Sequence, residues 1–281
     1  MLLFVTVNWG LSFPLSKFIL EDYSPQFSVL IRFLITTIIF LSFTFNKIKN
    51  YTKKDIFRGF LLSIFLFLGF ITQTVGMVYT TASNSAFITG TYIVILPFIQ
   101  YFIIKKIPSI ANVAGIILVS IGLVLLTGMH SFNFNFGDML TFICALAFAF
   151  HILYVDIFTS EENSDFNALL FGQFIGMLIL CTLSTLIFEN GENFKFTPKI
   201  LSSASLIINS VMSTFVGIYL INKYQKYTTP VKAGLIYSME QVFAVIFSII
   251  LLNELFSSVQ IAGAIFIFSG FMVSEIFKKG R

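Results

Sequence analysis

Apolar residues fill this chain in continuous runs of 18 to 24, punctuated by short clusters of Pro, Gly, Asn and charge. A helix rises about 1.5 Å per residue, so a run of about 20 crosses the roughly 30 Å hydrocarbon core of a bilayer. Ten such runs are predicted as helices, at 2–20, 26–45, 56–79, 84–104, 110–128, 138–158, 166–188, 200–222, 230–252 and 258–277. Strands of a membrane barrel would read as weaker segments of about ten alternating residues. The expected class is therefore an all-α integral membrane protein. The first run has no basic stretch before it and no small-residue cleavage site after it, and reads as a retained helix. Few connections exceed about ten residues, which predicts one compact membrane domain.

Composition agrees with this pattern. Of 281 residues, 57% are hydrophobic and 11% charged, against about 25% charged in a soluble domain, and mean hydropathy is +0.93. With ten crossings, alternate loops fall on opposite sides, and basic residues mark the cytoplasmic one. Thirteen of the 17 Lys and Arg share one side: Lys47, Lys49, Lys53, Lys54, Arg58, Lys105, Lys106, Lys223, Lys226, Lys232, Lys278, Lys279 and Arg281. Lys17, Lys195 and Lys199 fall on the other, and Arg32 lies within a span. Both termini are thus expected in the cytoplasm, in a multi-pass protein of the plasma membrane. The net charge of +4 reflects orientation and contact with anionic lipid, not nucleic acid.

The chain also repeats itself. Tyr79-Thr80-Thr81 recurs as Tyr227-Thr228-Thr229, 148 residues later, and the same offset pairs Ala114-Gly115 with Ala262-Gly263 and Gly122 with Gly270. Five helices per half is an odd number, so the second half enters the membrane from the opposite side. Two inverted halves, 1–128 and 138–277, are the expected organisation. Such repeats place a substrate near the midplane and expose it by alternating access. Lys105-Lys106 align with Asn253-Glu254, so equivalent loops carry opposite charge on opposite faces.

These features resemble the drug/metabolite transporter superfamily, in its EamA-type ten-helix branch of two five-helix repeats. The resemblance rests on Asn8-Trp9-Gly10 with Phe13, Arg32-Phe33, Thr81-Ala82-Ser83 through Pro97, Ala114-Gly115 to Gly122, and Ser238-Met239-Glu240-Gln241-Val242-Phe243-Ala244 with Asn253-Glu254. Gln241 stands where the family commonly has Pro, which predicts a straighter ninth helix. The resemblance implies export or exchange of a small metabolite.

Candidate transport residues follow from the cost of about 2.5 to 3.5 kcal/mol for a charge at mid-bilayer. Glu240, near the centre of the ninth span, could bind a cationic group or exchange a proton, or could hold helices together. Arg32 could bind a substrate carboxylate bidentately, or satisfy backbone carbonyls. His151 could donate and accept across a cavity, or be a satisfied core histidine. Trp9, Tyr92, Tyr154 and Tyr237 offer aromatic faces with polar tips, and the offset sets Tyr92 opposite Glu240. These residues suit an amino-acid-like substrate moved by a secondary transporter, as an exporter. A multidrug or cationic-compound exporter fits if Glu240 faces the cavity without Arg32, and an uptake permease is the reverse-direction alternative. Glycines at sevenfold spacing, with Gly172 and Gly176, predict close helix packing within one chain or across a homodimer.

Enzymatic motifs are absent from the sequence: no HExxH, GxSxG or phosphate loop occurs, and the histidines are His130 and His151. Cys144 and Cys181 lie within apolar runs as small hydrophobes. No enzyme activity, metal or cofactor is expected.

Overall fold

The computed structural model describes residues 1–126, 135–189 and 194–276. His130, Lys278, Lys279, Arg281 and the expected helix ends at 128 and 277 lie outside these residues.

The described residues form ten helical spans: α1 Leu2–Leu20, α2 Pro25–Thr44, α3 Lys53–Tyr79, α4 Ala82–Ile104, α5 Ile110–Leu126, α6 Phe136–Thr159, α7 Phe166–Phe188, α8 Ile200–Tyr227, α9 Pro230–Leu252 and α10 Ser258–Ile276. Nine are long and apolar enough to cross a membrane, and α5 is a shorter apolar helix. Boundaries differ from expectation by a few residues because side-chain caps set them. Asn135 and Asp138 form a reciprocal capping box that starts α6 at Phe136. Asp165 accepts from the first-turn amides of α7, and Pro occupies the first turn of α2 and α9.

Two spans are interrupted. α4 divides into Ala82–Gly90 and Tyr92–Ile104, and α9 into Pro230–Tyr237 and Met239–Leu252. At each break a hydroxyl bonds back to the chain, Thr91 Oγ1 to the Ile88 carbonyl and Ser238 Oγ to the Leu235 carbonyl, both at 2.7 Å. Such back-bonding competes with the helix ladder. α9, expected to run straighter with Gln241 in place of Pro, is interrupted three residues earlier, at Ser238.

Other features of α4 and α9 keep the 148-residue offset. Thr81 and Thr229 both cap their helices through the side chain, and Lys105 and Asn253 end them in the left-handed region, at φ 56° and 53°. α5 crosses α10 at glycines: a Cβ on Gly115 would lie 2.8 Å from the Gly270 carbonyl oxygen, and one on Gly122 would lie 2.6 Å from that of Gly263. α3 meets α7 more closely still, since a Cβ on Gly172 would lie 2.0 Å from the Ile56 oxygen. These approaches are within one chain.

Polar contacts between loops sort the connections into two ends. Glu161, after α6, pairs with Lys54 at 2.8 Å and with Arg58 at the start of α3. Lys232, after α8, pairs with Glu275 at 3.2 Å. At the opposite end, Glu189 after α7 accepts from Ser24, Gln26 and Phe27 after α1. Also there, Glu254 after α9 accepts from Ser83 after α3, and Asp138 after α5 accepts from Asn84 at 2.6 Å. The first end carries the predicted basic loops.

Candidate functional site

Between the ends, α1, α2, α3, α4, α6, α8 and α9 contribute side chains to one small cavity. Trp9, Arg32, Tyr92, His151 and Glu240 all line it, as does Ser12. Its volume of about 30 Å³ has room for on the order of one or two waters, so a larger guest requires its walls to part.

Arg32 is buried. Its Nε donates to Thr214 Oγ1, and the guanidinium lies 4.8 Å over the Phe70 ring. The two terminal nitrogens have no hydrogen-bond partner among the described residues, which leaves a donor fork at the cavity. Glu240 is also buried, and its carboxylate makes no hydrogen bond or ion pair among the described residues. Arg32 and Glu240 thus share a cavity without pairing. Gly10 explains how Glu240 comes so near α1: a Cβ there would sit 2.9 Å from the Glu240 carbonyl and 2.8 Å from the Ala244 amide. The Asn8-Trp9-Gly10 motif is the seat of α9.

α8 is wound as a π-helix over Asn209–Val216, a form that recurs at functional sites. Its widened turn meets α1 and α2 through polar contacts. Trp9 Nε1 donates to the Ser213 carbonyl at 2.9 Å, Ser213 Oγ to the Asn8 carbonyl at 2.9 Å, and Thr36 Oγ1 to the Ser210 carbonyl at 3.0 Å. Thr214, the partner of Arg32, belongs to the same turn. The turn fixes both the indole and the guanidinium.

His151 is held from behind by Gln173, with Nε2 at 2.8 Å from the amide nitrogen. Tyr92 contributes a buried hydroxyl near the Gln241 side chain. Tyr237 stands one layer away from the cavity. Its ring packs 5.7 Å from Trp9 and its hydroxyl donates to Gln225 Oε1 at 3.0 Å, while Gln225 Nε2 donates to the Ile152 carbonyl at 2.6 Å. Tyr154 stacks on Phe65 instead. Residues the sequence reading passed over include Gln73, Phe70 and Phe148 on the wall and Gln173 and Asn222 behind it. The three amides carried a signal, a polar side chain inside an apolar run that must find a partner there; the two phenylalanines, among 37, carried none.

Beyond Tyr237 and Gln225, at the basic end, opens a larger vestibule of about 870 Å³, lined among others by Gln100, Lys106, Asn112, Asp156, Tyr227 and Lys232. The opposite end is drawn together. Lys17 donates to the Met77 and Thr80 carbonyls at the end of α3, where a cation suits the helix dipole, and Ser83 bonds Glu254. Burial draws the Lys17 contact out of water, next to Glu254.

Ten helical spans among the described residues, seven of them around a mostly apolar cavity that holds two charged side chains, with apolar side chains such as Ile110, Ile200 and Leu255 almost fully exposed on the outside, define a multi-pass membrane protein. The chain belongs to the EamA-like transporter family, which matches residues 1–128 and 135–275, and with it to the drug/metabolite transporter superfamily. It is 35% identical over 263 residues to an uncharacterised transporter of Archaeoglobus fulgidus, covering 94% of this chain and 80% of that one. It is 26% identical over 284 residues to the uncharacterised transporter YetK of Bacillus subtilis, covering 96% and 84%. A crystal structure of a protein 14% identical superposes with a TM-score of 0.76 over 97% of this chain and 94% of its own, which shows the shared fold. The protein is a transporter.

Proposed function

We propose that the protein is a secondary transporter that works by alternating access and moves a small amino-acid-like zwitterion outward across the plasma membrane. One observation carries the substrate class: Arg32 and Glu240, opposite in charge, line one cavity and do not pair with each other. Each is costly at mid-membrane without a counter-charge. A zwitterion supplies both, its carboxylate to the Arg32 fork and its ammonium to Glu240. Trp9, Tyr92, Phe70 and Phe148 would surround its side chain. Between substrates, a proton on Glu240 would take the place of the ammonium, which couples transport to a proton gradient. A cationic-drug exporter needs Glu240 and the aromatic walls alone, and the guanidinium opposes it.

In this reading 1–128 and 138–277 are the inverted halves, and the basic end with both termini faces the cytoplasm. The shared offset of the caps and left-handed residues in α4 and α9 supports the first, and the Lys and Arg bias the second. A vestibule at the basic end and a latched opposite end favour loading from the cytoplasm.

Everted vesicles carrying the protein test this. Radiolabelled amino acids should accumulate under an imposed proton gradient, and Arg32→Met should abolish that uptake. Accumulation of lipophilic cations in the Arg32 variant, with no amino-acid uptake by the parent, would establish the drug exporter instead.

A further inference from the structure

Asn222, Gln173 and His151 form a buried chain of hydrogen bonds between α8, α7 and α6, with 1%, 0% and 4% of their surfaces exposed. Its direction can be read from one fixed point. Asn222 Nδ2 lies 2.9 Å from the Ile218 carbonyl oxygen, one turn back on α8. A carbonyl oxygen only accepts, so that end of the Asn222 amide is the nitrogen. The same nitrogen lies 3.2 Å from Gln173 Oε1. That turns the Gln173 amide nitrogen toward His151, where it meets Nε2 at 2.8 Å. An amide nitrogen only donates, so His151 Nε2 is the acceptor and its hydrogen resides on Nδ1. Nδ1 has no hydrogen-bond partner among the described residues, and the ring lines the cavity beside Arg32.

We infer that Gln173 and Asn222 are positioning residues that hold His151 as its Nδ1–H tautomer, and that this hydrogen is offered to a carboxylate oxygen of the substrate. His151 and the Arg32 fork then present neutral and charged N–H donors to one acceptor group. A lipophilic cation has no oxygen to receive them. The direction of the chain stands on geometry alone, whereas the ligand rests on the zwitterion reading above.

The test uses the full chain in nanodiscs with His130→Asn, so that His151 is its one histidine, labelled with ¹⁵N in the imidazole. The expected spectrum has a protonated Nδ1 and an unprotonated Nε2. A protonated Nε2 overturns the inference whatever the transport assay gives. Gln173→Glu puts an acceptor opposite Nε2 and should move the hydrogen there. It should also raise KM for an amino acid by about 10- to 100-fold, the worth of one hydrogen bond to a charged group, with a smaller change in kcat. Gln173→Leu, which merely removes the partner, should change the tautomer ratio without inverting it. Leucine should shift the Nδ1 resonance and leucinamide should not; equal effects of the two overturn the carboxylate assignment. An Nδ1–H spectrum with no response to any amino acid overturns the ligand and leaves the positioning chain standing, so failure of the zwitterion reading is seen separately.

Discussion

Arg32 and Glu240 show how single residues in this chain answer to the membrane. Neither pairs with a counter-ion among the described residues, yet each would cost at least about 2.5 kcal/mol there in charged form without compensation. Arg32 is partly compensated by Thr214 and the Phe70 face, and both contacts use the delocalised, planar shape of guanidinium. Arg32→Lys keeps the charge and loses the fork. Its KM for an amino acid should rise about tenfold or more in vesicle uptake, with the protein still folded. Glu240→Gln should abolish uptake driven by a pH gradient while leaving the elution profile in detergent unchanged; unaltered gradient-driven uptake would remove Glu240 from the mechanism. These two residues were legible in the sequence because a charge inside an apolar run is rare. Gln173, Asn222 and Gln73 were not, because an amide's partner depends on which helices cross. Tyr237 looked like a wall residue by its aromatic face and polar tip, but its hydroxyl is taken up by Gln225 instead.

Elements were legible to within a few residues, since helices in lipid must satisfy their backbone internally and so announce themselves as long apolar runs. The breaks in α4 and α9 and the π-turn of α8 were hidden. They coincide with hydroxyl back-bonds and with packing against α1 and α2, which hydropathy does not encode. Glycine spacing pointed to close packing without naming partners, and the partners prove to be within the chain. In lipid, association of helices rests on such close contact more than on apolar burial. Gly172→Ala would press a Cβ to 2.0 Å of a backbone oxygen on α3, and backbone cannot rotate away. It should lose about 1 to 3 kcal/mol, seen as a lower unfolding temperature in detergent. The start of α3 is also clamped from outside the membrane. Hydrogen bonds from Arg58 and then Lys54 hold the Glu161 carboxyl down to about 2, from an ordinary 4.5. A depressed carboxylate stabilises the fold above its unfolded value and ceases to as pH falls toward the folded one. Wild type should therefore exceed Glu161→Gln in thermal stability above about pH 5, by a small margin because the pair is exposed to water. The margin should shrink as pH falls through the range from 4.5 to about 2.

At the scale of the whole molecule the two ends differ in a way that inverted halves make meaningful. The equivalents of Ser83 and Glu254 under the 148-residue offset are Val231 and Lys106. At one end serine bonds glutamate; at the other, valine and lysine both line an 870 Å³ vestibule. One fold thus bonds a pair of elements at one end and lines a vestibule with their equivalents at the other, an asymmetry of the kind that alternating access exchanges between states. If so, the Ser83–Glu254 end must open once in every cycle. Ser83→Cys with Glu254→Cys, joined by a short thiol cross-linker, should stop transport, and a reducible linker should let it resume on reduction. Cys144 and Cys181 are both buried, so a polar reagent reaches the introduced pair first. Each single cysteine variant treated alike should transport as before treatment. A cross-linked protein that carries substrate at the rate of the untreated one would show that this end stays closed throughout, and would require the substrate to leave by another route.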